Sequence, residues 1–209
     1  HHPRPCTIIL RLEEMVLKTR IVLASKSPRR VELLRALDLP CELEIVPADI
    51  EEGDYMMSVP RAQAAVLSVA KAQAVAQNYP LSIVIGADTV VELNGAMLGK
   101  PKDEAQAKEM LTALSGNTHT VHTGLALCHC GQVYSDVVST RVTFRTLEEA
   151  EIDRYIASGE PFDKAGGYGI QGRAATMVRS IEGDYFTVMG LPLCRLSELL
   201  KQHFDIALL

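Results

Sequence analysis

Apolar positions along this chain of 209 residues alternate between short runs and helical stripes. The run Ile21 to Ala24 reads as a short buried strand, and Val31, Leu33, Leu34 and Leu37 give one apolar helix face that ends before Asp38 to Pro40. Cys41 to Val46 predicts a second strand. After an acidic, irregular stretch from Asp49 to Asp54, Pro60 opens an alanine-rich helix running to about Asn78 and stopping before Pro80. Ser82 to Val91 is strongly strand-forming, but Gly86-Ala87-Asp88-Thr89 interrupts it and puts Asp88 at a strand end. Asn94-Gly95 then signals a type I′ hairpin turn.

Pro101 and Asp103 begin an amphipathic helix with Ala107, Met110, Leu111 and Leu114 on its apolar side, ended by Ser115-Gly116-Asn117. His119 to Cys130 and Val133 to Phe144 predict a long hairpin around Gly131-Gln132, followed by a helix from Leu147 to about Ser158. Gly159 to Gly172 is glycine-rich and reads as a binding loop. Ala174 to Ile181, a Gly183-Asp184 turn and Tyr185 to Met189 suggest a closing hairpin before a C-terminal helix from Pro192 to about Gln202. Early strand-helix alternation followed by hairpins predicts an α/β fold: a mixed, twisted sheet flanked by helices.

A hydrophobic content of 47% supports one substantial core, so residues 15–209 are expected to form a single domain. The segment 1–14, upstream of Met15, reads as a tag or upstream remnant. A net charge of −5 disfavours a nucleic acid polymer as partner while leaving local basic residues able to grip a small anion. Five cysteines without framework spacing suit a reducing compartment, and Cys128-His129-Cys130 reads as strand alternation with its thiols on one face, not as a metal site. No apolar run approaches the roughly 20 residues that span a bilayer, so no membrane is expected and the cytoplasm is the expected compartment.

Ser25-Lys26-Ser27-Pro28-Arg29-Arg30 forms a strand-to-helix turn suited to phosphate: hydroxyls, free N–H groups at a helix start and planar guanidinium forks converge there. No P-loop or dinucleotide fingerprint competes with it. Asp88 is a carboxylate inside an apolar run, a costly placement unless partnered. Glu51 and Glu52 offer oxygen ligands to a hard cation. Lys71, Lys100 and Lys164 read singly as surface lysines, Glu148, Glu149 and Glu151 as a solvated helix start, and His119 and His122 as strand residues. Convergence of the basic and acidic groups would imply metal-assisted attack of water on phosphorus, with a carboxylate orienting the water.

Ser25-Lys-Ser-Pro-Arg-Arg30, Ile50-Glu-Glu52, Lys71, Gly86-Ala-Asp-Thr89, Gly99-Lys-Pro101, Leu114-Ser-Gly116, Asp163-Lys-Ala-Gly-Gly-Tyr-Gly-Ile-Gln171 and Gly190-Leu-Pro192 together resemble the Maf family of nucleoside triphosphate pyrophosphatases, over Ile21 to His203. The resemblance implies an inosine triphosphate pyrophosphatase-like fold, an elongated mixed sheet with two lobes around a cleft. It implies cleavage between the α- and β-phosphates, with Mg2+ or Mn2+, a homodimer, and a link to cell-division arrest. By position, Asp88 would be the proton acceptor and a metal ligand with Glu52, while Ser25, Arg30, Lys71, Lys100 and Lys164 would face phosphate. Arg29, Thr89 and Gln171 occupy the specificity positions and resemble the subfamily cleaving dTTP and UTP. The alternatives are a 7-methyl-GTP pyrophosphatase, whose subfamily carries an aromatic, Gln and Glu there, and a non-catalytic nucleotide-binding division regulator. Gly172-Arg173-Ala174-Ala175 departs from the family pattern without touching the catalytic set.

Overall fold

The computed structural model describes residues 19–209; the reading of residues 1–14 concerns a segment outside these. β1 (Arg20–Leu23) leads through the Ser25–Ser27 turn into α1 (Pro28–Arg35), and β2 (Glu42–Ile45) returns parallel to β1. A 3-10 turn (Glu52–Tyr55) precedes the long α2 (Pro60–Ala76). β3 (Ile83–Leu93) pairs parallel with β1 and turns through Asn94-Gly95, both at positive φ, into β4 (Ala96–Leu98). Then come α3 (Glu104–Leu114), the hairpin β5 (Thr118–His129) and β6 (Gln132–Phe144), and α4 (Glu149–Ala157). Three 3-10 turns over residues 160–176 lead to β7 (Val178–Glu182), α5 (Tyr185–Met189) and α6 (Leu193–Phe204).

The sheet runs β2-β1-β3-β5-β6-β7, with β4 added to β3. β1 pairs with β3 only at Ile83–Ile85 and β4 only at Val91–Leu93, while β5 covers the opposite edge of β3 from Val84 to Glu92. The edge of β3 between residues 86 and 90 is therefore left open on the β1 side, where the Ser25–Arg30 turn crosses. Strand alternation divides the core. Ile21, Leu23, Ile83, Ile85, Val121, Leu125, Leu127, Val142 and Phe144 pack on one face with buried residues of α1, α3, α4 and α6. On the other face Val22, Ala24, Val84, Ala126 and Cys128 meet Ala72 and Val75 of α2.

The sheet's approach to α2 explains why the Gly86–Thr89 interruption does not end the strand. A Cβ on Gly86 would lie 2.4 Å from the Ser68 carbonyl oxygen, and one on Gly124 2.1 Å from that of Ala64. These glycines let the alanine-rich α2 rest directly on the sheet backbone. β3 runs unbroken, so Asp88 stands in mid-strand and not at a strand end. Two other expectations are corrected. The β5–β6 turn is Cys130-Gly131, at φ 48° and 78°, not Gly131-Gln132, so Cys130 lies in a turn and outside the strand alternation. Tyr185–Met189 is helix and not the second arm of a hairpin: Asp184 Oδ2 accepts from the Thr187 N–H and hydroxyl at its start, and Gly190 at φ 110° stops it.

Candidate active site

Around the open edge of β3, side chains from five segments meet. On the α2 face, Lys71 Nζ donates to Asp88 Oδ1 at 2.9 Å and reaches Glu52 Oε1 at 3.1 Å, so the 3-10 turn, α2 and β3 are joined by one ammonium. Asp88 follows Gly86 by two residues on the same face, and the close seat of α2 brings Lys71 within reach of so short a carboxylate. The Lys71 and Asp88 side chains are only 16% and 11% exposed, whereas Glu52 is open to solvent at 58%. Lys71 is thus a partnered, largely buried cation and not a surface lysine. Burial pushes the Asp88 carboxyl above its ordinary range; Lys71 and then Arg30 oppose the shift, and Glu52 adds to it.

Across the strand edge, Arg30 Nε donates to the Gly190 carbonyl at 2.6 Å and Nη2 to Thr89 Oγ1 at 3.1 Å. Burial pulls the Arg30 guanidinium below its usual range; Asp88 raises it, Arg29 lowers it and Glu52 raises it, so all three charges act on one group. Ser25 is buried, and its Oγ accepts from the Ser27 N–H at 3.1 Å while Ser27 caps α1 by accepting from the Arg30 N–H at 3.4 Å. The hydroxyl hydrogen of Ser25 stays available. The glycine-rich loop closes the arrangement: a Cβ on Gly169 would lie 2.7 Å from Lys164 Cε and 3.2 Å from Arg29 Nη1, so Lys164 and Arg29 flank one bare backbone position.

Lys164 Nζ is held by Asp163 at 2.6 Å and by the Glu160 carbonyl at 3.0 Å. The loop itself is pinned from below. Tyr168 contacts His119 Nε2 at 2.5 Å, and the Gly169 N–H donates to the Tyr155 hydroxyl at 3.2 Å. Burial lowers the His119 pKa to about 4, so its ring is neutral at pH 7, and its Nδ1 has no partner. Gly99 accepts from the Gly166 N–H at 3.1 Å, placing the exposed Lys100 on the segment beside the loop; Gln171 is exposed at the loop's far end. Arg29, Arg30, Lys71, Asp88 and Thr89 are brought together with Glu52 at the rim, Lys164 lies beside Arg29, Ser25 sits in the turn that carries the arginines, and Lys100 and Gln171 stand outside the contacts.

Sequence reading missed four participants. Thr123 and the backbone of Thr187 and Gly190 buttress Thr89 and Arg30, and Tyr155 anchors the loop; only the Gly190-Leu-Pro192 motif hinted at any of them. The Glu148–Glu151 group is also more than a solvated face, since Glu151 pairs with Arg145 at 2.9 Å and forms a capping box with Glu148. Among the described residues no group of three or more His, Cys, Asp or Glu is arranged to hold a metal. Two carboxylates within reach of one ammonium nevertheless suit Mg2+, which takes one or two carboxylates together with substrate phosphate oxygens. Among the described residues no helix is long and apolar enough to cross a membrane.

A family profile described as Maf-like protein matches residues 20–203. A dTTP/UTP pyrophosphatase of Bacillus mycoides (strain KBAB4) is 50% identical over 186 residues, 89% of this chain and 96% of its own. A dTTP/UTP pyrophosphatase of Moorella thermoacetica is 50% identical over 184 residues, 87% of this chain and 94% of its own. The solved structure of a HAM1 protein from Coxiella burnetii superposes with a TM-score of 0.45 at 22% identity, over 60% of this chain and 73% of that one.

Proposed function

Because this chain belongs to the Maf family, we propose that it is a pyrophosphate-releasing hydrolase that converts dTTP and UTP to their monophosphates. The observation that carries this reading is the meeting of Arg30, Lys71 and Asp88 at one unpaired strand edge, with Lys164 and Arg29 across it. Water attacks the α-phosphorus: a P–O bond forms to the water oxygen, the bond from the α-phosphorus to the α–β bridging oxygen breaks, and pyrophosphate leaves with that electron pair. The water proton goes to Asp88, whose carboxylate burial has made more basic. Lys71 holds that carboxylate in place, and Arg30, Lys164 and Ser25 neutralise or hydrogen-bond the phosphate oxygens where charge builds up. Lys100, next to the Gly99 whose carbonyl accepts from the Gly166 N–H of the loop, would join them from the rim.

A divalent cation, Mg2+ or Mn2+, would be held by Glu52 and Asp88 and would supply charge neutralisation and a more acidic water. Specificity is assigned to Arg29, Thr89 and Gln171; the Gln171 amide offers both a donor and an acceptor, as an imide edge with carbonyls and an N–H demands. A carboxylate at 171 would instead suit a positively charged methylated guanine. The test is product analysis over a nucleotide panel with Mg2+: UMP and dTMP with pyrophosphate are expected from UTP and dTTP, well ahead of 7-methyl-GTP. Preference for 7-methyl-GTP, or tight nucleotide binding without turnover, would overturn it.

A further inference from the structure

We infer that Thr123, which is fully buried and touches no substrate, governs the choice between uracil and cytosine by fixing the direction of the Thr89 hydroxyl hydrogen. The inference rests on the reading of Thr89 as a residue that meets the base, and deepens it. Thr123 Oγ1 lies 2.7 Å from the Thr187 carbonyl oxygen. A carbonyl only accepts, so the single hydroxyl hydrogen of Thr123 is engaged there. Thr89 Oγ1 lies 2.9 Å from Thr123 Oγ1, and with no second hydrogen on Thr123 the donor in that pair must be Thr89. Arg30 Nη2–H occupies one Thr89 lone pair at 3.1 Å. Thr89 therefore has nothing left to donate and one lone pair left to offer.

This excludes phosphate, whose oxygens only accept, as the partner of Thr89. It selects a donor. The imide N3–H of uracil and thymine is such a donor, whereas N3 of cytosine presents a lone pair at the same place. The exposed Gln171 amide can rotate to serve either edge, so it cannot reject cytosine by itself. The Thr89 hydroxyl cannot rotate without giving up the bond it donates to Thr123 Oγ1 and leaving a buried lone pair with no donor, and that cost is what makes the discrimination strong. Thr123 is a positioning residue for the imide test that Thr89 performs.

The experiment is pyrophosphate release from UTP, CTP, dTTP and dCTP by the unmodified protein and by Thr123→Val, Thr123→Ser and Thr89→Val. Valine keeps the volume of Thr123, and the Thr187 carbonyl keeps its bond from the Gly190 N–H at 3.1 Å, so folding is preserved. With Thr123→Val the Thr89 hydroxyl is freed to donate to N3 of cytosine. The UTP-to-CTP ratio of kcat/KM should fall about tenfold, one hydrogen bond's worth, mainly through a lower KM for CTP. Thr123→Ser should restore the ratio, and Thr89→Val should lose UTP activity without gaining CTP. A ratio unchanged in Thr123→Val, with all four substrates slowed in parallel, makes Thr123 merely structural and overturns the inference while leaving the proposed function standing. So does equal cleavage of UTP and CTP by the unmodified protein, or a Thr89→Val defect confined to UTP over dTTP, which would put Thr89 at the ribose 2′-hydroxyl. No pyrophosphate from UTP or dTTP with the unmodified protein would overturn both.

Discussion

Arg61 and Lys71 stand on the same helix and reach the same sheet, but the clusters they enter are finished to different degrees. At the start of α2, Arg61 donates to Ser139 Oγ at 2.9 Å and to the Val137 carbonyl at 3.1 Å; Ser139 meets His122 Nδ1 at 2.6 Å, and His122 Nε2 meets Glu92 at 2.5 Å. Every nitrogen and oxygen that faces inward there has a protein partner, and the hydrogens can be assigned in one consistent direction from Arg61 to Ser139 and from Ser139 through His122 to Glu92. At Lys71 the accounts stay open. Lys71 donates one hydrogen bond, to Asp88, and pairs by charge with Glu52, Arg30 engages two of its five N–H groups, and Ser25 keeps its hydroxyl hydrogen. Spare valences held on buried scaffolding mark the second cluster as the one with room for a ligand. Concavity does not: a groove of about 420 Å³ at the far tip of the β5–β6 hairpin, lined by Gln73, Tyr79 and Cys130 among others, gathers no charged residue.

The sharpest break of the comparison is a pair of variants. Asp88→Asn should lower kcat at least a hundredfold, the usual loss for a general base, without lowering the melting temperature. The sign follows from the raised pKa of Asp88: its protonated form stabilises the fold, fully below the carboxyl's unfolded value, and that stability is lost as pH rises through the folded value, so a neutral amide removes a penalty present at pH 7. His122→Asn should do the reverse, leaving kcat within about twofold while costing roughly 1–3 kcal/mol of stability, the range for stranding buried partners. Steady-state kinetics with thermal melts on both proteins decides. Similar kinetic defects in the two would mean that the clusters do not differ in role.

A smaller effect concerns the floor under the glycine-rich loop. His119 titrates at about 4 in the fold against 6.5 ordinarily, because burial disfavours its charged form. Between those two values the unfolded chain binds the extra proton, so stability falls as pH drops from about 6.5 to about 4 and the loss saturates below. Thermal melts across that window should show this slope, and His119→Asn should flatten it while leaving the rest of the acid profile in place. An unchanged slope would remove His119 as its source.

Much of this was legible in the chain. Ser27 capping α1 ahead of two arginines, Asn94-Gly95 and the Asp103 cap are local signals that the fold obeys. What sequence could not disclose is contact between distant elements. Gly86 looked like an interruption because its reason, the carbonyl of Ser68 on another element, lies 18 residues away in sequence. Tyr185–Met189 carries β-forming residues, yet the Asp184 cap and the Gly190 stop prevailed over propensity. Cys130 in the left-handed region had no local signal at all. Asp88 stands out as a carboxylate inside an apolar run and Lys71 only through the family resemblance, but their bond depends on a helix seated on two glycines. Thr123 was hidden because a threonine in a strand is ordinary until its hydroxyl is traced.

One triphosphate is predicted to span the open edge of β3. The most direct test is a crystal structure with Mg2+ and a dUTP analogue whose α–β bridging oxygen is replaced by NH. The α- and β-phosphates are predicted to lie between Asp88 and Glu52 on one side and Arg30 and Lys164 on the other, with the uracil toward Thr89 and Gln171. An analogue seated in the groove beside Cys130, or bound with its phosphates away from Asp88, would contradict the account.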